Sequence, residues 1–511
     1  MFKTLRRSIN LVFLIQVIVV FLVAFGILPR TAILPLVALI AGFVLWTDLE
    51  TSTAFFIRSV PLFVAIPFTS YFDSFNLWRI ASGIIFLKWL YMRPPRLDLG
   101  SVKRSSLIRT YPLAFLVIIF LLTSILSLFV AENLFSGIKR IIYLVNLSLV
   151  PLVIYDLIKK NPALTKKFLG NLLISGVIVV AVGLAQLISA YLVPLHAFVD
   201  FWGNTVQLGF YGYQWASLAL EGNTWFAYFG DQLSLRVFST FPDSHSFPVY
   251  LLMTIPALLA KRFDLGSSKR SNLDLILLPI FYLLAILSGT RGIWLAILAP
   301  LLALPFLIRQ SQTKENKNIF KRLGLLLIPF FILFAAAFPI MGSNQFWVEK
   351  DNNQILAKRI RSILDLNETS NSGRVEIWKK TAASIIRHPL LGVGIGNFPV
   401  VLAQHTDLAK AGSSAHNLYL NITAEIGLVG LLATLGILWI ILKRGWIISL
   451  STSAIHLKIY TAAFLLYSLW VLGYSLTDAI LFDERAFLIF AINSSIILGL
   501  HNAHVQPSRH S

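Results

Sequence analysis

The chain is built from long apolar runs separated by short polar segments. The runs lie near residues 11–28, 31–46, 54–70, 77–92, 111–130, 141–158, 168–192, 247–260, 274–289, 292–308, 323–341, 415–442, 457–477 and 485–501. A helix rises about 1.5 Å per residue, so about 20 apolar residues cross the hydrocarbon core of a bilayer. The pattern predicts an all-α polytopic integral membrane protein with about twelve to fourteen transmembrane helices. The first run follows the basic stretch MFKTLRRSIN and has no small-residue cleavage pattern after it, which predicts a retained signal-anchor helix.

The polar segments orient the helices. Counting from an inside N-terminus, the segments at 93–109, 159–167, 261–270, 309–322 and 443–446 fall inside and all are basic, with 47–53 the exception. The alternate segments at 71–76, 131–136 and 478–484 contain no Lys or Arg. Positive charge retained on the cytoplasmic side predicts a cytoplasmic (inner) membrane protein with both termini in the cytoplasm. Arg30, Lys139, Arg140 and Arg485 depart from the pattern at outer helix ends, where they snorkel or face a polar cavity. Asp478, Asp483 and Glu484 read as hydrated residues of an outer segment.

Composition agrees with this class: 57% of the 511 residues are hydrophobic and the mean hydropathy is +0.77. The net charge of +20 would suit nucleic acid, but the Lys and Arg sit in short segments between apolar runs, the pattern of loops beside anionic lipid. With no cysteine, disulfides and thiolate chemistry are excluded. Three regions follow: a multi-helix scaffold over 1–230, a region over 231–445 that holds the candidate chemistry and a long outer loop at 342–414, and the last helices over 446–511.

Chemistry concentrates at residues 413–444, where an apolar run carries a polar head. His416 opens it, and Asn417, Asn421 and Glu425 recur every four residues on one helical face, followed by Gly427 and Gly430, where a neighbour can come close. The 342–414 loop is basic although its side of the membrane is otherwise poor in cations. Within it, 373–388 reads as an amphipathic helix with Val375, Trp378, Ala382, Ile385 and Ile386 on its apolar stripe, stopped by Pro389 and lying along the membrane interface. Residues 391–398 are glycine-rich without a preceding strand, and read as a turn that returns the chain to the membrane rather than as a nucleotide loop. Arg291 lies in a hairpin between two apolar runs, and Arg236 just ahead of another, near Asp243 and His245. Arg236, Arg291, Arg374 and His416 thus converge on one side of the membrane from four elements. Guanidinium groups suit phosphate oxygens, and an imidazole beside cations stays neutral and able to take a proton.

At these residues the sequence resembles the O-antigen ligase and O-antigen polymerase group, with its shared ligase/polymerase domain. The matching pieces are SGTRGIWL (288–295), with an R-x-x-x-L pattern from Arg291 to Leu295, GRVEIWKKTAASIIRHPLLGVGIGNF (373–398), and HNLYLNITAEIG (416–427), with an H-x(10)-G pattern from His416 to Gly427. RVFSTF (236–241) is similar to a further family segment, in which glycine usually stands where this chain has Ser239. The resemblance covers residues 230–440 in detail.

The resemblance implies a glycosyltransferase of GT-C architecture. Such an enzyme takes a glycan from a polyprenyl-diphosphate donor at the extracytoplasmic face and passes it to a hydroxyl of a glycan, lipid or protein acceptor, inverting the anomeric centre without cofactor, nucleotide sugar or metal. Arg291 and Arg374, with Arg236, would hold the diphosphate. His416 would orient or deprotonate the acceptor. Glu376, Asn417 and Glu425 would support these groups, with Leu295 and Gly427 structural in their motifs. Independently, the outer segments contain no DxD to bind a metal. A polymerase of the same group uses the same donor and is not separated from a ligase by these motifs. A transporter or flippase of lipid-linked glycan is the alternative of another class; it predicts repeated halves and charges at mid-membrane, whereas here charges sit at helix ends and no repeat is evident.

Overall fold

The computed structural model describes residues 8–69, 72–92, 112–221, 224–229, 232–263, 273–346, 369–404 and 413–505. It is an all-α bundle with two small antiparallel hairpins, Ala65–Ile66 with Phe75–Asn76 and Phe226–Phe229 with Gln232–Leu235. Every apolar run contains a helix. Among the described residues, however, only 8 helices are long and apolar enough to cross a membrane: Pro112–Val130, Leu134–Lys160, Leu164–Leu192, Arg291–Gln310, Lys314–Met341, Leu418–Ser451, Ile455–Tyr474 and Glu484–His504. Ile9–Ala24, Arg30–Trp46 and Ile276–Leu287 are apolar but shorter. These eight candidate spans are fewer than the twelve to fourteen expected from the runs. The run near 54–70 shows the reason: its helix, Leu49–Ser59, has 11 residues and gives way to a turn containing Pro61 and then to a strand.

The helix Ser246–Arg262 is the axis of the bundle. Every residue from Ser246 to Ala260 is buried, as expected of a helix that is apolar all round. Leu164–Leu192, Leu273–Leu287, Ile455–Tyr474 and Glu484–Val505 surround it. Several polar side chains inside the bundle find partners, as a lipid setting favours: Trp470 Nε1 donates to Ile293 O at 2.8 Å, and the hydroxyls of Tyr282 and Tyr467 bond to each other.

At one end of the bundle the connections between helices lock together. Val237 N donates to Leu287 O (3.0 Å), Thr290 Oγ1 to Ser244 O (2.8 Å) and Leu418 N to Ser475 O (2.8 Å). Arg485, expected to snorkel or to face a polar cavity, is instead 1% exposed and donates to the carbonyls of Thr240 and Phe63. Asp483 and Glu484 are not merely hydrated either. Asp483 caps the last helix by accepting from Arg485 N and Ala486 N, both at 3.0 Å, and Glu484 accepts from Trp78 Nε1 at 2.8 Å.

The amphipathic segment forms the helix Thr369–Arg387, and its inward face matches the expected stripe only in part, at Trp378 and Ile385. Ile377 and Ile385 pack on a small core of Phe398, Ala415 and Ala424, and Thr381 is fully buried, whereas Ala382 and Ile386 are exposed. The helix turns this way because Trp378 Nε1 donates to Ala415 O at 2.8 Å; the indole serves the protein interior instead of the headgroup layer. Lys350, Lys358, Arg359 and Arg361, part of the basic loop, lie outside the described residues.

Candidate active site

Asn417 starts the helix Leu418–Ser451. Its Oδ1 accepts from Tyr419 N and Leu420 N at 3.0 Å, satisfying amides that a helix start leaves open, while its Nδ2 donates to Leu476 O at 2.9 Å. Asn421 Oδ1 accepts from Ala415 N at 2.9 Å. Between these two anchors His416 is held at a φ of 45°, a left-handed conformation costly for a non-glycine residue and characteristic of functional sites.

Two turns further on, the helix is broken at Ile426 and Gly427. The glycine-rich segment fills the break: Val393 N donates to Ala424 O (2.8 Å), Gly394 N to Glu425 O (3.0 Å) and Leu428 N to Pro389 O (2.8 Å). The fit is tight enough to require glycine. A Cβ on Gly427 would lie 2.0 Å from Leu390 O, and one on Gly392 would lie 2.3 Å from Ala424 O. The buried Glu425 carboxylate faces the amides of Gly396 and Phe398 and the side chain of Asn421, so it fastens this segment rather than touching His416 directly.

The same segment ends the helix that carries Arg374. Arg374 lies one turn before Trp378, on the face turned toward residue 415, and its charge is felt by His416, Asp478 and Arg236. Arg236 donates through Nε to Ser288 O at 3.1 Å and through a terminal nitrogen to Thr290 Oγ1 at 3.3 Å, which ties it to the hairpin that leads into Arg291. Burial pushes the Arg236 guanidinium down to about 10; Tyr474 and Asp243 oppose the shift, while Arg291 and Arg374 add to it. Asp243, the obvious partner of Arg236 in sequence, spends its Oδ1 on the amides of His245 and Ser246. Arg291 opens its helix beside Gly292, whose Cα packs on Tyr474 and Thr477.

Sequence reasoning gave Asp478 no role beyond hydration, whereas the structure buries it among polar partners. Its Oδ2 lies 2.9 Å from His245 Nδ1 and accepts from the Tyr474 hydroxyl at 3.0 Å. Burial would raise this carboxyl, but His245, His416 and Arg374 hold it well below the usual carboxylate range, so it is ionised. His416 responds in turn: burial lowers its pKa, Asp478 raises it, and Arg374 and His245 lower it, with a net fall. Asp478 is one of three acids in an outer segment free of Lys and Arg, a signal that composition contained but hydration explained away.

The structure therefore brings Arg236, Arg374 and His416 into one electrostatic group with Asp478 and His245, and sets Arg291 at its edge. Asn417 and Glu425 support the group through backbone. Glu376 is not brought in: it is exposed and pairs with Lys380 at 3.1 Å. Leu295 lies on the outward face of its helix, 44% exposed. Among the described residues no three His, Asp or Glu side chains are grouped as metal ligands. What remains is a cluster of permanent cations around a neutral imidazole backed by a carboxylate, which suits binding a polyanion while a proton is removed nearby.

No curated protein matches this chain. Residues 275–435 match the family model described as O-antigen ligase, a span that includes Arg291, Arg374, His416 and Gly427 but not Arg236, His245 or Asp478. The chain is thus a multi-spanning membrane protein that carries an O-antigen ligase domain over residues 275–435.

Proposed function

We propose that this protein is an inverting, metal-independent glycosyltransferase of the extracytoplasmic membrane face, of O-antigen ligase type, which moves a glycan from polyprenyl diphosphate to an acceptor hydroxyl. The observation that supports the reading is that Arg236 is hydrogen-bonded to the hairpin leading into Arg291 and feels the charges of Arg291 and Arg374, while His416 feels those of Arg374 and Asp478. Arg374 and Arg291, with Arg236, bind the diphosphate. His416, neutral at physiological pH, takes the proton of the acceptor hydroxyl as its oxygen attacks the anomeric carbon. The bond from that carbon to the diphosphate breaks on the opposite side, and the leaving group departs with the electron pair. Negative charge grows on the diphosphate as the bond lengthens, and arginines fixed in a water-poor site stabilise it without reorganising. Asp478 stabilises the imidazolium that forms, and the proton then passes to solvent.

The test is release of free polyprenyl diphosphate by purified protein in nanodiscs, supplied with a lipid-linked glycan and candidate acceptors, for wild type and His416→Ala. Acceptor-dependent release that is lost in the variant supports the reading. Equal release by the variant removes His416 as the base, and absence of release with every acceptor, together with intact donor binding, moves the assignment to transport.

A further inference from the structure

His245 touches Asp478 directly, yet the transfer step above gives it no part. Its imidazole is held from two sides. At the backbone, Asp243 Oδ1 accepts from the amides of His245 and Ser246 at 2.7 and 2.9 Å, which seats His245 at the start of the axial helix Ser246–Arg262. At the ring, Nδ1 lies 2.9 Å from Asp478 Oδ2 and 3.1 Å from the hydroxyl of Tyr474, which itself donates to Asp478 at 3.0 Å. A carboxylate only accepts hydrogen bonds, so Nδ1 carries a hydrogen and donates it, and in the neutral ring Nε2 is left as a lone-pair acceptor. Nε2 makes no hydrogen bond among the described residues, and the side chain is 22% exposed. A rigidly mounted acceptor is therefore open to a ligand.

The neighbours of His245 place it within the site. Ser244 O, one residue earlier, accepts from Thr290 Oγ1 at 2.8 Å, and the same hydroxyl accepts from Arg236 at 3.3 Å. Through Asp478, His245 also belongs to the surroundings of His416, which feels the charges of both. It thus links the arginine hairpin to the proton-taking imidazole. The two kinds of side chain select different chemistry. A guanidinium offers only donors and suits the oxygens of an anion, whereas Nε2 offers only an acceptor and suits a hydroxyl.

We propose that His245 Nε2 accepts a hydrogen bond from a second hydroxyl of the acceptor sugar, next to the one whose proton His416 takes, and so selects which hydroxyl attacks. The proposal rests on the glycosyltransferase reading. Acceptor choice then depends on a residue outside 275–435, the span that matches the family model.

Two substitutions separate this contact from a purely structural role. His245→Asn keeps an N–H where Nδ1 stands and has nothing at Nε2, whereas His245→Gln puts a carboxamide oxygen near Nε2 and gives up the bond to Asp478. The acceptor that supports release in the transfer assay is compared with its monodeoxy derivatives. Wild type is expected to lose about tenfold in kcat/KM when a hydroxyl beside the attacking one is missing. His245→Asn should be slower with the full acceptor by a similar factor and indifferent to that hydroxyl, and His245→Gln should recover the discrimination. Discrimination unchanged in His245→Asn overturns the proposal while transfer itself stands. Absence of release by wild type with every acceptor overturns the glycosyltransferase reading instead. A readout independent of transfer keeps the proposal testable if the variants fold poorly: diethyl pyrocarbonate on the full-length wild type, followed by peptide mass mapping, is expected to modify His245 and to be blocked by the active acceptor. An unreactive His245, or one that the acceptor leaves unprotected, overturns the proposal.

Discussion

Asp478 and His245, on connections far apart in sequence, share a 2.9 Å hydrogen bond, and the same carboxylate raises the pKa of His416. This gives a signed pH prediction. A base acts in its neutral form, so activity climbs with pH through the pKa of His416, which lies below the ordinary value of 6.5 because burial lowers it more than Asp478 raises it. Activity should therefore be undiminished at neutral pH and fall only in acid. Asp478→Asn removes the raising charge, so the acid limb should move further toward low pH while the maximal rate drops at least about tenfold. A pH–rate profile with its limb displaced upward would contradict the assignment.

Arg374 and Glu376 are neighbours in sequence with opposite expected consequences. Arg374→Lys should be nearly as damaging as Arg374→Ala if the diphosphate is gripped by a planar fork, and an active lysine variant would reduce its role to charge. Glu376→Ala breaks only an exposed pair with Lys380, and turnover should stay within about twofold of wild type.

The glycines of the motif separate cleanly. Gly427→Ala and Gly392→Ala force a Cβ against a carbonyl at positive φ and should cost about 3 kcal/mol or more, read as loss of folded protein in detergent. Gly373, within the helix Thr369–Arg387, has open space where a Cβ would go, so Gly373→Ala should stabilise by about 0.5–1 kcal/mol.

Ser239 occupies a φ of 54°, the reason glycine suits that position. Serine is tolerated because its Oγ donates to Val179 O at 2.7 Å and its amide to Gln186 Oε1 at 3.0 Å. Ser239→Gly exchanges that bond for relief of strain and should shift stability by less than about 1 kcal/mol, whereas Ser239→Val loses the bond and keeps the strain, at a cost of about 2 kcal/mol or more. Thermal unfolding of the two variants should separate them.

The sequence carried the membrane class and the runs that become helices, because hydropathy is a local property. It did not carry which helices reach spanning length, since that depends on where Pro61 and similar residues stop them. Nor did it fully reveal the buried face of the Arg374 helix, which is chosen by the distant carbonyl of Ala415. Asp478 escaped for the same reason: its partner His245, more than 200 residues away in sequence, meets it only through packing, although Tyr474 is a local neighbour four residues before it. Glu376 was drawn into the site by proximity in sequence, but a residue two places from Arg374 on a helix points away from it.

The broken helix after His416 acts as a length standard. One residue inserted between Leu418 and Ile426 would rotate everything beyond it by about 100° and advance it by about 1.5 Å. Glu425 would then turn from the amides of Gly396 and Phe398, and Gly427 from Leu390. Because the segment inserted in the break also ends the helix of Arg374, such a slip would change the distance between the arginine and the imidazole. Insertions and deletions should therefore be excluded from the stretch between His416 and Gly427, however freely other parts of the protein change in length.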